Sequence, residues 1–326
     1  MNNNRVGIIG GGLMGAGIAT QFALAGINTV VIEADAARIA RIPAIVDDIL
    51  AEQIDAGSIN PDKRDAVRTR ITATSDLRTL ASVDIVIEAI PDVLALKQDI
   101  YAQLESIVKP DAIIASNTSG IMPDALCQNM AAKGRFVIAH FWNPPHVIPL
   151  VEVVPGTATT PATVERTVAL LREIAAEPVV LKIAIPGFIG NRLQFAILRE
   201  ALHIVQSGAA DAQTVDNVMK ASLGRRYSMM GPLESADLGG LGTLLTIASH
   251  LMPQLCTDEK PLELLREQVE QGNLGASTGK GFYRWDQERV AAIRAKRCQY
   301  LARGALNSVI TEVGSDPSKA PTADPA

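Results

Sequence analysis

Residues 6–32 include no charged side chain, and Arg5 stands immediately before them. By length alone such a run could cross a membrane as one helix or form the apolar part of a secretion signal. Its glycines speak against both. Gly7, Gly10, Gly11, Gly12, Gly15, Gly17 and Gly26 all fall inside it, and glycine is among the weakest helix formers. The run divides instead into three pieces. Residues 5–9 read as a short strand, Gly10 to Gly12 as a turn, and residues 13–25 as a helix with Gly26 at its C-cap. Residues 29–32 are then a second strand, apolar on both faces, as befits a parallel sheet covered on both sides.

The alternation continues along the chain. Strand-like runs at 71–74, 83–88, 112–116, 136–140, 150–154 and 179–182 are separated by helical stretches. These include 35–56 (with Pro43 marking a break), 63–70, 94–108 and 162–174. Strands alternating with helices predict an α/β fold with a doubly wound sheet. After Pro186-Gly187 the strand runs stop, and apolar residues recur at helical spacing from 188 to 252. A Gly-rich segment with aromatics follows at 273–285, then a last helix at 287–306. The expected organisation is a sheet domain over residues 1–186, an all-helical domain over 187–312 and a disordered tail over 313–326.

Composition limits the function classes. With 48% hydrophobic and 20% charged residues the chain is globular. A net charge of −5 and the lack of a basic block argue against a nucleic-acid partner. Cys127, Cys256 and Cys298 are odd in number and far apart, which suits neither a disulfide framework nor a metal site. A reducing cytoplasm is the expected compartment.

Gly10, Gly12 and Gly15 fit the pattern G-x-G-x-x-G, with Leu13 and Met14 opening the helix. The first glycine permits the tight strand-to-helix turn, the second lets a pyrophosphate approach the backbone, and the third allows close helix–strand packing. The helix N-terminus then attracts the phosphates. Glu33 ends the second strand about 20 residues on, where a dinucleotide fold places the acid for the ribose hydroxyls. Its charge repels a 2′-phosphate, so NAD is expected over NADP. The competing reading is a glycine-rich turn with no ligand.

Four histidines are present. His203 and His250 fall in helical stretches and read as structural. His146 follows Asn143-Pro144-Pro145 and reads as a solvated loop residue. His140 ends a strand, and in this architecture that position faces the crevice where ligands bind. Glu152 is the lone acid in the next apolar strand, and a charge there needs a partner. The two make a base held by an orienting carboxylate, or else a core histidine and a strand-end acid that never meet. The polar run from Ser116 through Asn117, Thr118 and Ser119 to Gly120 is either a capped turn or a source of groups near the nicotinamide and substrate.

Together these residues resemble the 3-hydroxyacyl-CoA dehydrogenase family. The resemblance rests on Gly10-x-Gly12-x-x-Gly15-x-Gly17, Glu88-Ala89, Ser116-Asn117-Thr118-Ser119 and His140-Phe141-Trp142-Asn143-Pro144. It continues through Leu150-Val151-Glu152-Val153, Pro186-Gly187-Phe188 with Asn191-Arg192, Gly231-Pro232 and Gly279-x-Gly281-Phe282-Tyr283. It implies a Rossmann-type domain, NAD as cofactor and a homodimer formed through the helical domain. His140 is implied as general base, Glu152 as its orienting partner, and Ser119 and Asn191 as the groups that hold the substrate oxygen. Glu88, Asp92, Lys97, Asn117 and Asn143 are implied to lie at the cofactor. No metal and no membrane are implied.

The substrate signals diverge. Gly120, Pro91-Asp92, Trp142 and Pro149 depart from the common acyl-CoA pattern. The stretch Ile148-Pro149-Leu150-Val151-Glu152, with Arg226-Tyr227, is similar to the branch of L-gulonate 3-dehydrogenase and λ-crystallin. Gly279-Lys280-Gly281-Phe282-Tyr283 is closer to the acyl-CoA branch. Lys63, Arg64, Arg68 and Arg70 form a basic stretch that either meets a CoA phosphate or is a solvated helix face. The main expectation is NAD-dependent oxidation of an L-3-hydroxyacyl-CoA. The alternatives are the same chemistry on a free 3-hydroxy acid, or a non-catalytic NAD-binding protein.

Overall fold

A computed structural model describes residues 4–308. The expected tail, and the end of the expected helical domain beyond 308, lie outside the described residues. Eight strands form one sheet in the order β3-β2-β1-β4-β5-β6-β7-β8. They are β1 (Arg5–Ile9), β2 (Asn28–Ile32), β3 (Ile71–Thr74), β4 (Ile85–Glu88), β5 (Ile113–Ser116), β6 (Phe136–Phe141), β7 (Leu150–Pro155) and β8 (Glu177–Val180). Neighbours pair in parallel throughout except β6 and β7, which are antiparallel. The strand order reverses between β1 and β4, which places a crevice at the carboxyl ends of those two strands.

The first unit runs to Phe188. Its helices are α1 (Leu13–Leu24), α2 (Ala36–Asp55), α3 (Arg64–Arg70), α4 (Leu94–Ile107), α5 (Pro123–Leu126) and α6 (Pro161–Glu173). Side chains alternate across a strand, so β1 feeds two cores. Ile8 joins Ile18, Phe22 and Val31 in one cluster, and Ile9 joins Val86, Leu104 and Phe136 in the other. Burial on both sides explains why β1, β2, β4 and β5 read as continuous apolar runs.

Two local expectations are corrected. Pro43 does not break its helix, because α2 runs through it. A proline in a helix interior costs about 3 kcal/mol. The buried side chains Ile42, Val46, Ile49 and Leu50 hold the helix on both sides of it, at roughly 1.5–3 kcal/mol each. The last strand lies two residues earlier than its apolar run suggests, because Pro178 is part of it. β8 ends the sheet, and an edge strand tolerates a residue with no backbone donor.

The second unit, Ile189–Ala291, is helical. It contains α7 (Gly190–Gln206), α8 (Ala212–Ala221), α9 (Leu223–Tyr227), α10 (Pro232–Gly239), α11 (Leu241–Leu251) and α12 (Glu263–Glu270). The last helix, α13 (Gln287–Ser308), differs from the division drawn from the sequence. From Ala292 onward it groups with the first unit. There Cys298 is buried, its thiol 3.5 Å from the carbonyl oxygen of Glu52. Among the described residues no helix is long and apolar enough to cross a membrane.

His146 is not solvated but buried. The loop after β6 is drawn against α1, where a side chain at Gly17 would come within 2.6 Å of Pro145. The loop also meets α2. His146 Nε2 lies 3.3 Å from a Glu52 carboxylate oxygen, and Gln53 Nε2 donates to the His146 carbonyl at 2.8 Å. Burial pushes the imidazole below its ordinary value and Arg297 adds to that, while Glu52 opposes it in part. The unfolded chain therefore takes up a proton first as the pH falls through about 6.5. It then binds more protons than the native state, and stability drops on acidification until the folded value is passed. His146→Gln is expected to flatten the fall of Tm between about pH 7 and pH 5. Parallel Tm profiles for the two proteins would contradict this.

Candidate active site

The parallel strands bring the predicted residues to one edge of the sheet. Gly10 follows β1, Glu33 follows β2, Ala89 to Asp92 follow β4, Asn117 to Ser119 follow β5, and His140 lies near the end of β6. The turn after β1 is built for close approach. Gly10 has φ +104°, and a Cβ there would lie 2.7 Å from the carbonyl oxygen of Ala89. A Cβ on Gly15 would lie 1.8 Å from the Gly10 carbonyl oxygen. A Cβ on Gly12 would meet nothing within 4 Å, so that position opens outward. The first turn of α1 carries no acidic residue and no side-chain cap, and Leu13 is exposed. Open backbone donors at a helix N-terminus suit a pyrophosphate. Glu33 is nearly buried and accepts from the N–H groups of Gly11 at 3.0 Å and Asp35 at 3.2 Å. The acid is thus held against the turn. These residues fit a dinucleotide.

His140 and Glu152 meet. They are directly opposed in the antiparallel β6–β7 register, which puts both side chains on one face. His140 Nδ1 lies 2.9 Å from Glu152 Oε2, with only 6% and 1% of each residue exposed. A carboxylate only accepts, so Nδ1 carries the proton and Nε2 is the basic atom of the neutral ring. Trp142 Nε1 donates to the same Glu152 oxygen at 3.3 Å. The His140 ring also packs 5.5 Å from that of Phe188, which is fully buried with φ +50°. The sequence reading gives Trp142 and Phe188 no role. The signal for Trp142 was its place two residues past His140, on the same face of the strand.

Asn117 joins the turn after β5 to the end of β6, because its Oδ1 accepts from the Phe141 N–H at 2.8 Å. Ser119 is exposed; its N–H and hydroxyl each lie 3.4 Å from Asp92 Oδ2. Asn143 is exposed in the loop after β6. Asn191 belongs to the second unit, in the first turn of α7.

Glu88 and Lys97 lie deep, at the end of β4 and in the first turn of α4. Neither has accessible surface. Lys97 Nζ lies 2.6 Å from Glu88 Oε1 and 3.1 Å from Asp92 Oδ1. Glu88 also accepts from the Tyr101 hydroxyl and, at 2.8 Å, from Ser116. Charges this deep persist only when paired, and removing one partner costs roughly 3–5 kcal/mol. Burial raises the Asp92 carboxyl, but hydrogen bonding from Thr118 and the Lys97 charge outweigh it and hold it below the usual value. Burial and the neighbouring Glu88 push the Tyr101 phenol upward, so it stays a donor. Among the described residues no cluster of three His, Cys, Asp or Glu side chains is arranged for a metal ion.

Comparison with known proteins gives a consistent picture. Residues 5–184 match the family model described as 3-hydroxyacyl-CoA dehydrogenase, NAD binding domain, and residues 187–285 match that of its C-terminal domain. A probable 3-hydroxybutyryl-CoA dehydrogenase of Deinococcus radiodurans is 36% identical over 86% of this chain and 100% of its own. The 5-formyl-3-hydroxy-2-methylpyridine 4-carboxylate 5-dehydrogenase of Mesorhizobium japonicum is 31% identical over 91% of this chain and 95% of its own. A crystal structure of an enzyme of that name, described as an NAD+-dependent dismutase, superposes with a TM-score of 0.85. It has 30% identity and covers 94% of this chain and 98% of that one. Lambda-crystallin of Oryctolagus cuniculus is 44% identical over 48% of this chain and 49% of its own.

Proposed function

Since the chain belongs to the 3-hydroxyacyl-CoA dehydrogenase family, an NAD-dependent oxidoreductase family, we propose that it oxidises the 3-hydroxyl of an L-3-hydroxyacyl-CoA to the ketone. The observation that carries this reading is the His140–Glu152 pair, 2.9 Å apart at the sheet edge that also holds the glycine turn. NAD, when bound, accepts the hydride from C3 of the substrate. His140 Nε2 takes the hydroxyl proton as the C3–H bond breaks and the carbonyl forms. Glu152 stabilises the imidazolium that results and fixes the ring's orientation. Ser119 and Asn191 hold the substrate oxygen. Gly10, Gly12, Leu13, Met14, Gly15 and Glu33 seat the cofactor, with Asp92, Asn117 and Asn143 at its nicotinamide end.

A free 3-hydroxy carboxylate is the second reading, and one observation favours it. Of the basic stretch that could meet CoA phosphates, Arg68 is already paired with Asp47 at 2.6 Å and Arg70 donates to the Ala66 carbonyl at 2.7 Å. The relative named for a pyridine carboxylate points the same way. NADH formation with 3-hydroxybutyryl-CoA and with L-gulonate, measured side by side, separates the two. The thioester is expected to be oxidised. Reduction of NAD by the free acid alone would remove the CoA reading, and tight NADH binding without turnover of either would favour the non-catalytic one.

The helical unit is read as the substrate and dimerisation domain. Leu233, Leu238 and Leu245 are largely exposed on it, which supports a homodimer. Three buried free cysteines suit the cytoplasm as its location.

A further inference from the structure

Glu152 holds His140 with an oxygen that a second side chain also binds. His140 Nδ1 and Trp142 Nε1 both donate to Glu152 Oε2, at 2.9 Å and 3.3 Å. The register explains how. His140 is opposite Glu152 in the β6–β7 pair. The residue two further on is therefore Glu152's diagonal neighbour on the same face, within reach of a long aromatic side chain. Trp142 stands there, half-buried just past the end of β6. Its ring lies 5.9 Å from the imidazole between centroids, and Phe188 packs on the same imidazole at 5.5 Å. Both rings restrain the histidine sterically, but of the two only the indole has a donor. An indole N–H donates and never accepts, so it can only bind the carboxylate and favour its charged form. The last torsion of a glutamate is broad, and a second donor on one oxygen narrows it.

We propose that Trp142 is a positioning residue for the proton transfer: its indole N–H fixes the rotation of the Glu152 carboxylate and, through it, the orientation of the His140 ring. Trp142 acts through Glu152, not on the substrate or on NAD. Phenylalanine in its place would keep an aromatic ring beside His140 and remove the donor. A packing role depends on the ring, whereas the proposed role depends on the N–H. The inference rests on His140 being the base of the proposed reaction.

The test has a spectroscopic arm and a kinetic arm, both on the full chain. The chain has two tryptophans, Trp142 and Trp285. With isotope-labelled indole nitrogens, the N–H signal that remains in Trp285→Phe is that of Trp142. Glu152→Gln is expected to move this signal upfield, because a neutral amide oxygen is a weaker acceptor than a carboxylate. A signal that stays in place would overturn the proposal. The kinetic arm uses 3-hydroxybutyryl-CoA, or L-gulonate if that alone is turned over. Trp142→Phe is expected to lower kcat about fivefold, which is what one side-chain hydrogen bond is commonly worth, with both KM values unchanged. In the Glu152→Gln background the same substitution should cost about twofold, because a bond to a neutral acceptor is roughly half as strong. An unchanged kcat, an equal fold-loss in the two backgrounds, or a loss that lies in KM would overturn the proposal. If Trp142→Phe does not fold, 3-benzothienylalanine in place of Trp142 in the Trp285→Phe chain keeps the indole's outline without its N–H. The same loss is expected relative to Trp285→Phe, and an unchanged kcat would overturn the proposal. His140→Ala is run in parallel. If it stays active, the site reading fails and this inference with it. If it is inactive while Trp142→Phe keeps the parent's kcat, only the positioning role fails.

Discussion

His140→Ala is expected to lose about 10²–10⁴ in kcat while still binding NADH. The loss follows from geometry. The imidazole is held by Glu152 at Nδ1, so alanine removes the proposed base and leaves the glycine turn and Glu33 untouched. Glu152→Gln provides the matching control. The side chain is buried beside His140 and Trp142, and the amide keeps the shape but not the charge that stabilises the imidazolium. Its kcat should fall by less than that of His140→Ala. NADH titration by fluorescence and steady-state rates on the same preparations check both. Wild-type turnover in His140→Ala would refute the assignment of the base.

Gly15→Ala carries the second large effect. A Cβ there would sit 1.8 Å from a backbone oxygen, that of Gly10, far inside contact distance. A backbone atom cannot rotate away, so α1 must move from the turn. Overpacking of this kind costs about 3 kcal/mol or more. The turn is also the proposed phosphate seat, so loss of NAD binding should exceed the loss of stability. Gly12→Ala is the contrast, because a Cβ at Gly12 meets nothing and the apo stability should be unchanged. Urea unfolding midpoints and NADH titrations of the two variants decide it. A stable Gly15→Ala protein with the parent's NADH affinity would contradict the packing argument.

The doubly wound sheet was legible because its central strands are buried on both faces and so appear as uninterrupted apolar runs. Glu33 and Glu152 were legible for the opposite reason, as charges where an apolar run has no place for one. His140 was legible as a strand-end histidine, though the antiparallel register that sets it opposite Glu152 was not. What stayed hidden depends on tertiary contacts. Tyr101 carries no signal of its own in the sequence, and its hydrogen bond to Glu88 appears only once α4 is packed beside β4. Glu88 and Lys97 enter only through the resemblance, because burial of a compensated pair leaves no periodic trace. His146 reads as a loop residue until α1, α2 and α13 are seen around its loop. Pro178 hid the start of β8 because a proline in a strand is acceptable only at an edge, and edges are not visible before the sheet is assembled.

The central claim is that this chain moves a hydride from the carbon bearing a 3-hydroxyl to NAD, with His140 taking the proton. A single-turnover reaction with substrate deuterated at C3 tests it most directly, using 3-hydroxybutyryl-CoA and L-gulonate in separate runs. The account predicts that the deuterium appears in the NADH formed, at a rate that collapses in His140→Ala. NADH that lacks the label, or none formed from either substrate by a protein that binds the cofactor tightly, would contradict it.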